Sequence, residues 1–256
     1  MLRDKYFTGV HFGAIDPEWI FDCLRIEELL VEPDSEVRQF TFVVSAKGLA
    51  AIENYLYAYS ELYSKVYFHK TTRAAQIMLQ EILLATLTDP SVRAKLPEHD
   101  PVKQYFEAGR KPSLSHYLKM DDFALWNTIS FIASADLGPA TGLAQRLLTR
   151  DLYKCFDPPH KPDETLNPIQ VNEFAAKLRK KEIPFFWDKI PEKGYKIYVG
   201  EGMVYLKNIL VDNERDRKPA SISSLSRLVS QIADPPATRF YFPSQADKEA
   251  AVALWQ

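Results

Sequence analysis

Residues 47–87 constrain this chain more than any other stretch. Leu49, Ile52, Leu56, Tyr59, Tyr63 and Val66 follow a 3-4-3-4-3 spacing, which lays one apolar stripe along an amphipathic helix. The stripe resumes at Ala75, Met78, Leu79, Ile82, Leu83 and Thr86. Between the two runs lies the octet Val66-Tyr67-Phe68-His69-Lys70-Thr71-Thr72-Arg73, which puts a phenol, an imidazole and an ammonium within four residues. Thr71 or Thr72 is expected to cap the second helix. An aromatic wall beside a cation and an imidazole is a contact set suited to a nucleotide. Ordinary packing at a helix junction, with Lys70 reaching to solvent, explains the same residues equally well.

A chain of 256 residues, 46% hydrophobic and 12% aromatic, buries a sizeable core. With 32 basic against 34 acidic residues, the global charge gives no argument for nucleic acid or an anionic membrane. Cys23 and Cys155 stand far apart with no C-x-x-C partner, which disfavours a zinc site or a disulfide-stapled domain and makes a reducing, cytoplasmic setting the expectation. No leader and no run of eighteen apolar residues is readable, so no membrane partner is expected.

Taken in order, residues 1–13 are expected to form a loop around Gly9 and Gly13. Asp16-Pro17-Glu18 reads as a helix start, with the helix running to about Leu30. Val37–Val44 alternates like a half-buried strand. Residues 89–113 carry four prolines and are expected to hold short helices, one near Val102–Ala108. Tyr117–Ile132 and Ala140–Phe156 read as helices by spacing. Pro158-Pro159-His160-Lys161-Pro162 is the best boundary. Beyond it Asn172–Lys181 and Ile222–Ile232 read as helices, and Pro184–Trp187, Lys196–Val199, Met203–Leu206 and Thr238–Phe242 as strands. The expected fold is mainly α over residues 1–157, with a smaller α+β lobe over 158–256.

Five histidines are present. His69 with His99-Asp100 and Asp121 or Asp122 has the look of a metal set. We reject it, because His99-Asp100 sits between Pro97 and Pro101 in what reads as a surface loop. Asp121-Asp122 precedes an apolar run and reads as a helix cap rather than an acid-base pair. The run 177-Lys-Leu-Arg-Lys-Lys-181 reads as a solvated helix face. Phosphate-loop, dinucleotide, nucleophile-elbow and zinc-protease signatures are all missing from the sequence.

Tyr-x-His-Lys at 67–70, preceded by Lys47-Gly48-Leu49-Ala50-Ala51-Ile52-Glu53, resembles the latter part of the HD-domain phosphohydrolases. These include the deoxynucleotide triphosphohydrolases, the dGTPase-like and SAM-and-HD-domain proteins. Arg3-Asp4-Lys5-Tyr6-Phe7-Thr8-Gly9 looks like the family's R-D-x-x-x-x-G segment. Asp121–Trp126 and Arg146–Lys154 are similar to its later helices. The resemblance implies that Asp4 contacts a sugar 3′-hydroxyl and that Tyr67 packs on the deoxyribose and disfavours a 2′-hydroxyl. It places His69 and Lys70 at an effector or phosphate interface.

In the family the reaction turns a deoxynucleoside triphosphate into deoxynucleoside and triphosphate at a divalent metal (Mn, Mg or Fe). The metal-binding H…HD…D set falls before Met1, so no catalytic or metal residue is expected here and the chain alone is expected not to hydrolyse. Deoxynucleoside triphosphates are the implied ligand, and a homo-oligomer or an HD-bearing chain the implied partner. Two of the family's arginine positions carry Trp19 and Tyr59 instead, which removes a bidentate phosphate contact at the second. A non-catalytic interaction or regulatory subunit is the alternative.

Overall fold

The structure is a computed structural model and describes residues 1–11, 13–30, 37–159, 167–190, 206–213, 218–232 and 237–255. The chain is mainly α with a smaller α+β part. It folds into two compact units. The first comprises Met1–His69, His160–Thr165 and Lys189–Ala237; the second comprises Lys70–Pro159, Leu166–Asp188 and Thr238–Gln256. Each therefore draws chain from both sides of the Pro158 region at which the lobes were expected to part.

In the first unit, α1 (Leu2–Thr8) is a helix where a loop was expected. It stops at Gly9, whose φ of 67° is left-handed, the conformation glycine adopts without a Cβ clash. Asp16 caps α2 (Pro17–Asp22), accepting from the Trp19 N–H at 3.0 Å with Pro17 at the first helical position. This helix ends eight residues short of Leu30. The remainder is β1 (Leu24–Leu30), antiparallel to β2 (Arg38–Val44) in a register running from Leu24↔Val44 to Leu30↔Arg38. Helix spacing and strand are both compatible with Leu24, Ile26, Leu29 and Leu30, and pairing with β2 decides between them.

A single 3₁₀ turn (Ala46–Gly48) leads into α3 (Leu49–Leu62), continued by a π-helical turn over Tyr63–Tyr67. Gly48 is buried, and a Cβ placed there would come within 2.6 Å of the Cys23 Cβ. Glycine is required at that crossing. The core beneath α3 gathers Cys23, Val44, Ile52, Leu56, Val211, Ile222 and Val229. β5 (Leu210–Asn213) and β6 (Lys218–Ser221) complete a sheet of order β1-β2-β5-β6, β2 and β5 being parallel. The expected helix 222–232 is two short ones, α11 (Ile222–Leu225) and α12 (Arg227–Gln231).

In the second unit α4 (Lys70–Leu87) begins at Lys70, so Thr71 and Thr72 lie inside its first turn and neither is the cap. Its buried face, with Ala74, Met78 and Ile82, packs with Ile129 and Ile132 of α8 (Asp122–Ser134) and with Ala140, Ala144 and Leu147 of α9 (Pro139–Leu148). Short helices α5 (Pro90–Arg93), α6 (Pro101–Glu107) and α7 (Leu114–Leu118) join them. The helix expected to reach Phe156 ends at Leu148, and β3 (Lys154–Phe156) pairs with β7 (Ala237–Phe242). With β4 (Phe186–Ile190) these form a second sheet, order β3-β7-β4. Phe240 and Phe242 of β7 bury against Val171, Phe174 and Leu178 of α10 (Pro168–Lys180), and α13 (Gln245–Trp255) closes that core through Ala251. The expected strand Lys196–Val199, most of Met203–Leu206, and His160 lie outside the described residues.

Candidate functional site

Asp4 and Tyr67 lie 63 residues apart in sequence, and the first unit brings them into contact. The Tyr67 hydroxyl donates to the Asp4 Oδ2 at 2.6 Å. Packing of Met1, Val10, Ile15 and Val66 around buried Ala58 and Leu62 fixes the start of the chain on α3. The Lys5 ammonium donates to the Gly13 carbonyl at 3.3 Å, and Gly13 lies where an added Cβ would sit 3.4 Å from the Ala58 Cβ.

Asp4 is a charge-saturated carboxylate. Its Oδ1 accepts from the Arg3 guanidinium at 3.1 and 3.2 Å, and the Met1 amino group stands 3.3 Å from Oδ2. The Tyr67 hydrogen bond first, and the Arg3 bonds next, pull its pKa down to about 2. Tyr67 responds in the opposite sense: donation to Asp4 raises its pKa, because ionising the phenol would forfeit that bond. Asp4 is thus an anion that only accepts hydrogen bonds, and Tyr67 spends its proton on it and presents its ring.

Tyr67 ends a ladder. Tyr55, Tyr59, Tyr63 and Tyr67 recur every fourth residue, with ring centroids 6.5, 4.7 and 4.9 Å apart along the series. Offset and edge contacts of this length are the favoured aromatic arrangements. The Tyr63 side chain and burial push the Tyr59 phenol up to about 12. Tyr59 is therefore a neutral stacking member, and Trp19 is a half-exposed indole. The π turn is marked by the Phe68 N–H donating to the Tyr63 carbonyl five residues back, at 2.8 Å, a feature that recurs at functional sites.

His69 and Lys70 are both exposed. His69 closes the first unit and Lys70 opens the second. Among the described residues, Arg73 is the octet's most firmly held cation. Its Nε and Nη2 donate to the two Asp188 oxygens, each at 2.6 Å, and the carboxylate is almost fully buried. Sequence reasoning missed this pair. The available signal was a lone acid, Asp188, in the apolar run Phe185-Phe186-Trp187, since a buried carboxylate needs a cation.

Asp100 is likewise not a surface-loop residue. It is buried, caps α6 by accepting from the Lys103 N–H at 2.9 Å, and takes the Thr128 hydroxyl at 2.7 Å. Asp121 caps α8, accepting from Ala124 N–H at 2.7 Å, as read from the sequence. Among the described residues no group of three or more His, Cys, Asp or Glu stands together to hold a metal. Cys155 is a poor nucleophile, because burial pushes its thiol up to about 11.

Comparison with known proteins gives relatives of wide phylogenetic spread. The chain is 28% identical over 169 residues to the uncharacterized protein YwfO of Bacillus subtilis, covering 65% of this chain and 35% of that one. It is 27% identical over 200 residues to the uncharacterized protein MJ1154 of Methanocaldococcus jannaschii, covering 78% and 36%. The chain thus spans about a third of the length of these relatives. No family model matches. Among solved structures it superposes on a phosphohydrolase from Bacteroides thetaiotaomicron with a TM-score of 0.59 at 19% identity, covering 95% of this chain and 59% of that one. It also superposes on a hypothetical protein from Aquifex aeolicus with a TM-score of 0.63 at 23% identity, covering 99% and 55%. The chain shares its fold with part of these two larger proteins.

Proposed function

We propose that this chain is the sugar- and phosphate-contacting part of an HD-type nucleotide phosphohydrolase, with the metal-bearing residues on a separate stretch of polypeptide. The observation that carries the reading is the Tyr67–Asp4 hydrogen bond, because it joins the two residues that the family resemblance assigns to one deoxyribose. The fold shared with a phosphohydrolase supports it.

A carboxylate held at a pKa of about 2 is ionised at every physiological pH, and so can accept from a sugar hydroxyl that replaces the exposed Arg3 donor, but never donate to one. The Tyr67 ring offers an apolar wall to a 2′-methylene and crowds a 2′-hydroxyl. Lys70, at the start of the second unit, is an exposed ammonium suited by itself to a phosphate oxygen. In the family a divalent ion supplies the activated water. The described residues bring no three ligating side chains together for such an ion. A purely regulatory, nucleotide-binding subunit is the second reading. It is favoured by Tyr59, which is locked into the ladder where a phosphate-binding guanidinium would be expected.

Saturation-transfer NMR with paired nucleosides tests the proposal. Deoxyadenosine should bind about 10-fold more tightly than adenosine, and Tyr67→Ala should abolish the preference. Equal binding of the two sugars, or no binding of deoxynucleosides at millimolar concentration, refutes it.

A further inference from the structure

In the second unit, the loop over residues 97–101 and helix α8 form the walls of a recess of about 420 Å³. Asn127, Ser130 and Ser134 line it from α8. Their i, i+3, i+7 spacing puts them on the side of the helix opposite Ile129 and Ile132, which are buried. Asp100 lines the recess from the loop and is 4% exposed. A volume in the lower part of the roughly 300–1,000 Å³ usual for ligand pockets suits a small molecule.

The walls mostly accept hydrogen bonds. The Ser130 hydroxyl spends its proton on the Trp126 carbonyl at 2.8 Å, and the Ser134 hydroxyl spends its own on the Phe131 carbonyl at 2.9 Å. Both oxygens therefore offer lone pairs only. Each Asp100 oxygen accepts one bond, from the Lys103 N–H or the Thr128 hydroxyl, whereas a carboxylate has about four lone-pair sites. The exposed Asn127 amide and His99 imidazole, also at the recess, make no hydrogen bond with another described residue. An amide and a neutral imidazole each both donate and accept.

An anion entering here would meet the Asp100 carboxylate. An organic cation would meet a segment that already buries one: Lys103 is 3% exposed, and its ammonium donates to the Leu96 carbonyl at 3.2 Å and to Glu98 at 2.6 Å. A hydroxyl suits the walls better, since it can donate to Asp100 and the serines and accept from Asn127 or His99. The C–H edges of a polyhydroxylated molecule find apolar surface on Pro101 and the half-buried Phe131 ring, which also line the recess. We propose that this recess binds a neutral monosaccharide or short polyol, with Asp100, Asn127 and Ser130 as its hydroxyl contacts. The proposal does not depend on nucleotide binding at Asp4 and Tyr67, which belong to the first unit.

Proton–nitrogen correlation NMR on the full chain, titrated separately with D-ribose, D-glucose and D-sorbitol to about 50 mM, tests it. At least one of the three should give saturable shifts centred on residues 97–101 and 127–134, with a Kd of about 0.1–10 mM. Asn127→Ala should weaken that binding about 10-fold, and Ser130→Phe, which fills the recess, should abolish it. Both positions are exposed, so circular dichroism should be unchanged. Inorganic phosphate and putrescine should leave these residues unshifted. No shift with any of the three polyhydroxylated probes, shifts centred elsewhere, binding of phosphate or putrescine in their place, or an affinity indifferent to Asn127→Ala would each overturn it.

Discussion

Replacing Gly48 by alanine puts one methyl group into the tightest crossing of the first unit. The new Cβ would lie 2.6 Å from the Cys23 Cβ, 2.8 Å from the Val44 Cγ1 and 3.1 Å from the Cys23 Sγ. Ordinary carbon contacts are about 3.5–4.0 Å, so the gap must open by about 1 Å. The nearest atom is a Cβ, which moves only with its backbone, so the junction of α2 with β1 must shift away from the start of α3. Overpacking of this kind costs about 1–3 kcal/mol. The backbone itself is unstrained, with φ −85° and ψ −6°, so alanine recovers about 0.4–1 kcal/mol through the unfolded chain.

The net effect is destabilisation by about 1–2 kcal/mol, read as a fall in thermal midpoint of about 2–8 °C for a chain of this size. Cys23→Ala keeps the obstructing Cβ and should leave most of that loss in place. Differential scanning fluorimetry with circular dichroism measures both variants. An alanine variant at or above the wild-type midpoint, or full rescue by Cys23→Ala, refutes the steric account.

Two other substitutions have defined outcomes. Tyr67→Phe removes the main hydrogen bond on Asp4, so its carboxyl should titrate closer to the ordinary carboxylate value of 3.8 than to about 2 in carbon-detected NMR. Because the folded pKa is depressed, the stabilisation from this contact is fully present above the ordinary value and is lost as pH falls through about 2; a titration unchanged by the substitution contradicts the assignment. Arg73→Ala strands the nearly buried Asp188 without its bidentate partner and should cost about 2–3 kcal/mol in urea unfolding, allowing for the partial exposure of Arg73. Arg73→Ala/Asp188→Ala should cost clearly less than the sum of the single changes.

What was legible in the sequence was local. The two stripes at 49–66 and 75–86, the Asp16 and Asp121 caps, the strand before Ser45 and the strand 238–242 all announce themselves within a few residues of their own positions. What escaped depends on partners far along the chain. Leu24–Leu30 has apolar residues at spacings either period accepts, and only its full register with β2 makes it a strand. Lys154–Phe156 closes a helical-looking run and becomes a strand because Phe240–Phe242 waits more than eighty residues on.

The candidate site divides the same way. Asp4 and Tyr67 were named through family likeness, while Arg73–Asp188 and Asp100–Thr128 are pairings of ordinary residues that no local spacing marks. Asp100 was taken for a surface residue because flanking prolines signal a loop. They do bracket one, but Pro101 also opens a helix whose capping carboxylate is sealed beneath Thr128.

The π turn at Tyr63–Tyr67 makes the place of Tyr67 a matter of counting as much as chemistry. One residue carries about 100° of rotation along an α-helix. The π turn closes over five residues where a regular turn closes over four, so it already holds one residue in excess. Deleting Ser64 should let the segment close as ordinary α-helix with the tyrosine still on the side of Asp4, whereas deleting one residue within Leu49–Leu62 would turn it away by about 100°. A single gap between relatives is therefore compatible with a shared site inside this turn and incompatible with one inside α3.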